Sequence, residues 1–156
     1  MSGAVVTGVA VGTCTIAANQ LGNGNYAAAQ QTQSFSISAA LPILDIDASA
    51  PTTPYDAASD GVLLIRYLLG YLDSALVTGA ISPVAGRNAT QIAQHIAANL
   101  ARFDVDGDGQ TLAATDGVII LRRLLGITNP AAITQGIKNS IRSDAEVVLT
   151  IDALKP

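Results

Sequence analysis

The aspartates are the residues of this chain whose types and spacing could do chemistry. Asp104-Val105-Asp106-Gly107-Asp108-Gly109-Gln110 sets three carboxylates at alternate positions, and Asp116 follows. A hard cation such as calcium takes about six to eight oxygens, and one loop can supply them from alternate residues plus a carboxylate further on. In that reading Asp104, Asp106 and Asp108 turn their carboxylates inward, Gly109 permits the sharp turn, and Gln110 offers its backbone carbonyl. Asp116, in the first turn of the next helix, closes the cage. It is aspartate where glutamate is usual and stands one place late, so an extra residue within Thr111-Leu112-Ala113-Ala114 must be absorbed as a bulge. Thr111 or a water would fill the remaining position.

A second stretch, Asp45-Ile46-Asp47-Ala48-Ser49, keeps two carboxylates, replaces the third by a serine hydroxyl, and runs through Pro51 and Pro54 to Asp60. It is three residues longer than the other loop, with Asp56 available to compensate, and its lower ligand charge predicts weaker calcium binding. The competing reading of both stretches is a solvated acidic turn capping a helix. Such a turn gains nothing from three carboxylates that repel one another. Magnesium suits an all-protein carboxylate cage poorly, so the predicted cofactor is Ca2+ at two sites.

The elements that must position these loops form an internal repeat. Asp60-Gly61-Val62-Leu63-Leu64-Ile65-Arg66-Tyr67-Leu68-Leu69-Gly70 matches Asp116-Gly117-Val118-Ile119-Ile120-Leu121-Arg122-Arg123-Leu124-Leu125-Gly126, about 56 residues on. The stretch from Arg87 to Ile96 likewise echoes that from Arg142 to Ile151. Each unit reads as loop, helix, linker, helix, with repeats at about 43–100 and 102–155. The first helix is expected to start at the N-caps Ser59 or Thr115 and to stop at Gly70 or Gly126. The second, roughly 89–102, places Ile92, Ile96, Leu100 and Phe103 on one stripe, and its partner at about 143–154 carries Val147, Val148 and Ile151. The predicted fold class is therefore mainly α, with a four-helix core made of two equivalent halves over 41–156.

Residues 1–40 read instead as a small antiparallel β segment. Ala4–Val11, Thr13–Ile16 and Gln33–Ser38 have strand character, with a turn at Gly22-Asn23-Gly24-Asn25. The stretch GTCTIAANQLGNGNYAAAQQTQSFSIS resembles the C-terminal end of bacterial immunoglobulin-like repeats, which implies the last part of a sandwich that needs about seven strands. Cys14, the sole cysteine, reads as a small apolar strand residue.

The stretches FDVDGDGQTLAATDGVIILRRLLG and LDIDASAPTTPYDAASDGVLLIRYLLG, within about 41–127, resemble the type I dockerin module of secreted bacterial proteins. The resemblance implies two calcium loops, with Asp104, Asp106, Asp108 and Asp116 as ligands in one and Asp45, Asp47, Ser49 and Asp60 in the other. It further implies docking onto a cohesin-like domain of another protein through Ser59 with Arg66 and Thr115 with Arg122. The units here are much longer than the roughly twenty-residue dockerin repeat, since each carries an added linker and helix.

Composition narrows the rest. The 156 residues are 49% hydrophobic and 13% charged with net charge −4, which leaves no clustered basic surface for nucleic acid. Eleven of the twelve acids are aspartate and eight of the twelve fall in the two loops, a bias toward loops and metal sites over helix faces. Arg66, Arg122 and Arg123 interrupt the longest apolar runs, so a membrane span is not expected. No serine or cysteine has a plausible base, and the sole histidine, His95, falls in a helical stretch, so an enzyme is not expected. The expectation is a non-catalytic attachment module at the cell surface or outside the cell. The other class in view is a structural subunit whose β segment is completed by another copy of the chain.

Overall fold

The computed structural model describes residues 12–37, 42–53, 55–137 and 140–155. Internal contacts divide the chain into Met1–Leu41 and Pro42–Pro156. In the first unit, β1 (Gly12–Gln20) and β2 (Ala29–Ile37) pair antiparallel in a register running from Gly12↔Ile37 to Gln20↔Ala29. Asn23 fixes the intervening turn by accepting the N–H groups of Asn25 and Tyr26 on its Oδ1. Strand alternation puts the Thr15–Ser34 hydroxyl pair and the Asn19–Gln30 amide pair on one face, each at 2.7 Å, and Cys14, Ile16 and Phe35 on the other. Cys14 is half-buried. The run Ala4–Val11 and Ser38, also read as strand, lie outside the described residues.

The mainly α expectation for the chain is corrected. The described residues hold six α-helices, none longer than ten residues, beside the two-stranded sheet, and 41% helix does not make a mainly α chain of two dockerin-like repeats. The helices are α1 (Val62–Leu68), α2 (Asp73–Val77), α3 (Ala89–Ala98), α4 (Val118–Leu124), α5 (Pro130–Thr134) and α6 (Asp144–Asp152). Two of them, α2 and α5, occupy what the sequence pattern leaves as linker. The physical reason for the low helix content lies in the loops, where backbone N–H groups bond to aspartate side chains and leave the helical ladder.

The helix starts differ from expectation too. A π turn precedes α1 at Ala57–Gly61 and precedes α4 at Ala113–Gly117, closed by Gly61 N–H to Asp56 C=O and Gly117 N–H to Leu112 C=O. This wide turn takes up the extra residue before Asp116. Asp56 caps the first π turn by accepting from Ala58 N–H, while the Ser59 hydroxyl is buried and has no partner. Gly70 and Gly126 do end their helices in the left-handed region, at φ +88° and +84°.

The halves pack as one device used twice. A Cβ on Gly61 would lie 2.7 Å from the Leu121 side chain of α4, and one on Gly117 would lie 3.0 Å from Ile65 of α1. Ile65 and Leu121 are equivalent positions, so this is the same crossing seen from both sides. Below it, Leu63, Leu64, Ile119 and Ile120 are fully buried together with Ile92 and Ile96 of α3 and Val147 and Ile151 of α6. Each such side chain is worth about 1.5–3 kcal/mol in apolar transfer. Leu100 departs from its stripe and is 39% exposed, because α3 ends at Ala98 and the tighter 3₁₀ turn Leu100–Arg102 rotates it outward while Phe103 stays inside.

Candidate metal centres

Ile46 and Val105, the second residue of each aspartate loop, are fully buried and tie the loops to this core. With those side chains inside, the flanking aspartates are drawn below the surface. Among the described residues two groups of carboxylates converge, each offering one oxygen per residue within 4.8 Å of the others: Asp45, Asp47 and Asp60, and Asp104, Asp106 and Asp108.

In the 104–116 loop, Asp104 accepts Gly107 N–H on Oδ1 (2.8 Å) and Gly109 N–H on Oδ2 (3.0 Å). Asp108 accepts Gln110 N–H, and Asp106 accepts Asp108 N–H on Oδ1. Asp116 stitches the loop to its helix: Oδ1 accepts from Val105 and Asp106, and Oδ2 from Leu112 N–H and the Thr115 hydroxyl. Gln110 is exposed, and Thr111 donates its hydroxyl to the Leu100 carbonyl.

The 45–60 loop repeats the scheme with other donors. Asp45 accepts Ser49 N–H on Oδ1 and Ala50 N–H on Oδ2. Asp60 accepts Ile46 N–H at 2.6 Å and Asp47 N–H at 3.4 Å on Oδ1, and Asp56 N–H on Oδ2. Asp47 accepts Ser82 N–H on Oδ2. Ser49, also buried, donates its hydroxyl to Thr53 C=O and so keeps its oxygen lone pairs for a ligand.

Among the described residues, one buried carboxylate oxygen in each loop has no partner. They are Asp47 Oδ1 and Asp106 Oδ2, at equivalent positions, and both residues are fully buried. A buried unpaired carboxylate oxygen is costly, and neighbouring carboxylates add repulsion of about 3–4 kcal/mol per pair at an effective dielectric constant of about 20. A proton or a cation is needed. Burial pushes the Asp60 carboxyl up to about 7 against the pull of the Asp56 and Ile46 N–H groups, and the charge of Asp47 adds to the rise. Burial likewise raises Asp106, with the charges of Asp116, Asp108 and Asp104 adding to it against the Asp108 N–H. Both clusters consist of carboxylates, with neither cysteine nor histidine, and such a donor set fits a hard cation and not zinc. His95 contacts the Ile43 carbonyl at 2.8 Å and is pushed down by burial.

The residues predicted to read a partner are placed as follows. Ser59 is buried and so is not presented to a partner. Thr115 is half-buried against Asp116. Arg66 donates through Nη1 to the carbonyls of Leu76 and Thr78, and Arg122 does the same to those of Ile133 and Gln135, so each holds the end of the short helix that follows.

Two residues without a role in the sequence reading belong to the sites. Arg87 Nη1 donates to the carbonyls of Asp45 and Ile46, and Arg142 Nη1 to that of Asp104. Their signal was available, since the repeat alignment sets Arg87 opposite Arg142. Comparison with protein-family models, with curated proteins and with solved structures finds no match for the chain.

Proposed function

We propose that both loops bind calcium and that the chain is a non-catalytic attachment module of a secreted or cell-surface bacterial protein. The observation that carries the metal reading is the pair of orphaned, fully buried oxygens, Asp47 Oδ1 and Asp106 Oδ2, each within a cluster of carboxylates. A calcium ion accepts several carboxylates in one cage, whereas magnesium retains water and tolerates few. The resemblance of the two loop–helix stretches to dockerins supports attachment to a cohesin-like partner domain, with Arg66, Arg122 and Thr115 as the family's partner-reading positions. Calorimetric titration of the chelated protein, with circular dichroism in parallel, tests the metal step. Two calcium events, unmatched by magnesium at equal concentration, are expected, and absence of heat from a chain that is already folded would end the reading.

A second reading, self-assembly through β-strand completion, is favoured by one feature of the hairpin. Ile16 and Phe35 share a face and are each 39% exposed, an apolar surface of the kind a neighbouring sheet covers. Sedimentation at micromolar concentration with calcium present separates the two, since a monomer would sink the assembly.

A further inference from the structure

The segments that lengthen each repeat return to the aspartate loops and grip them from behind. In the first half, Gly86 N–H and Arg87 N–H both donate to Asp47 C=O at 3.0 Å, Arg87 Nη1 reaches the carbonyls of Asp45 and Ile46, and Ser82 N–H holds Asp47 Oδ2. In the second half, Ile141 N–H and Arg142 N–H donate to Asp106 C=O at 3.0 and 3.1 Å, and Arg142 Nη1 reaches Asp104 C=O at 2.7 Å. The same loop positions are held by equivalent groups in both halves.

The next residue explains why the grip is rigid. Arg87 precedes Asn88 and Arg142 precedes Ser143, the N-caps of α3 and α6. Each cap forms a reciprocal capping box, with Gln91 and with Glu146 respectively. Buried Ile92 and Ile96, and Val147 and Ile151, then fasten those helices to the core. Each arginine therefore hangs from an anchored helix start, and its half-buried guanidinium holds the outer, carbonyl side of the loop whose carboxylates converge within. A guanidinium cannot lose its proton, so it stays a donor at any pH, and here Arg87 fixes two loop carbonyls and Arg142 one.

We infer that Arg87 and Arg142 are the positioning residues of the two cation sites, holding the loop backbone so that the carboxylates converge before the ion arrives. This rests on the reading that the loops bind a cation. It assigns the added linker and helix of each repeat a role at the metal, that of a fixed outer shell replacing part of the order the ion would otherwise impose. Outer groups that orient ligands are worth about 10–100-fold in metal affinity.

The test is calcium titration of the full chain as unmodified protein, Arg142→Ala, Arg142→Lys, Arg87→Ala and Arg87→Lys. Asp47→Asn and Asp106→Asn assign each binding event to its loop. Each alanine variant is expected to weaken its own loop by about 10–100-fold while the other loop stays within about twofold, with helicity in saturating calcium unchanged. Lysine should recover part of the loss, because its ammonium can still donate to a loop carbonyl but lacks the planar, preorganised guanidinium. Equal losses at both loops, or a lower melting temperature with unchanged affinities, would overturn the inference and leave a purely structural arginine. Should an alanine variant fail to fold, the matching lysine variant decides by the same loop-specific shift. No calcium uptake by the unmodified chain would instead overturn the metal reading beneath it.

Discussion

The 45–60 and 104–116 loops solve one problem with different residues. In the first, the closing Asp60 joins the carboxylate cluster and the cluster is entirely buried, while in the second the three loop aspartates form the cluster and Asp104 and Asp108 remain half-buried. The longer loop loses its third carboxylate to Ser49 and regains a convergent one, Asp60, from the π turn before α1. The difference shows that sequence-level ligand charge is a poor guide to which site is better enclosed. The loop with fewer acidic residues at alternate positions is the drier one, and there Coulomb repulsion is least screened.

The largest test of this comparison removes the orphaned oxygens. Asp47→Asn and Asp106→Asn are each expected to reduce calcium affinity of their own loop by more than about 100-fold, beyond the loss from an outer-shell group. In chelator, Asp47→Asn should also raise the urea midpoint more than Asp106→Asn does, because it relieves repulsion in the drier cluster. Equal gains would mean that the two loops feel the same dielectric.

Next in size is the pH response of the calcium-free protein. Asp60 has a folded pKa of about 7, raised from an ordinary carboxylate value near 4, so folding favours its protonated form. The stability it contributes is complete below about pH 4 and is lost as pH rises through about 7. Urea unfolding in chelator between pH 4 and 8 should show that loss in the unmodified chain and not in Asp60→Asn. With calcium present the trend should reverse, since the ion competes with the proton.

A smaller effect concerns the left-handed residue shared by the loops. Ala48 has φ +59° where its counterpart Gly107 has φ +80°. An alanine there costs about 1 kcal/mol relative to glycine, so Ala48→Gly should stabilise by roughly that amount. Gly107→Ala should destabilise by somewhat more, as its Cβ would lie 3.2 Å from the Arg142 side chain. Chemical denaturation of both variants in saturating calcium measures the pair, and the same sign for both would break the equivalence of the loops.

The smallest effect separates the helices behind the loops. Arg123 of α4 bonds Asp152 of α6 through two nitrogens, at 3.1 and 2.8 Å, whereas the matching position in α1 is Tyr67, packed against the core. The Arg123 guanidinium holds the Asp152 carboxyl below its usual range, so the pair contributes above about pH 4 and the contribution is lost as pH falls through the lowered value. The Asp152 side chain is 37% exposed, and screening limits the pair to about 1 kcal/mol or less. Arg123→Ala should lower the urea midpoint slightly at pH 7 and by less at pH 3, while Tyr67→Ala should cost the same at both.

Much of this was legible in the residues. The duplication, the helix stops at Gly70 and Gly126, the buried stripe of Ile92 and Ile96, and the pairing of Arg87 with Arg142 all follow from spacing, because periodicity and left-handed glycines are local properties. Less local features were not. The two linker helices are each five residues long, too short for periodicity to register. Ser59 has the composition of an N-cap and is buried instead, because the π turn moves the helix start to Asp56. Leu100 has core spacing and points outward, because one tighter turn changes the phase.

By itself the sequence determined that two oxygen-rich loops exist, that they are copies, and that apolar helices follow each of them. Tertiary structure alone decided which carboxylates meet. Asp60 enters one cluster, Asp116 is fully occupied by N–H and O–H donors beside the other, and two buried oxygens, Asp47 Oδ1 and Asp106 Oδ2, are left without partners. The reason is physical. Residue type and spacing set what a segment can offer, but burial of Ile46 and Val105 and the return of Arg87 and Arg142 set the distances between charges, and those distances join residues as many as 42 positions apart.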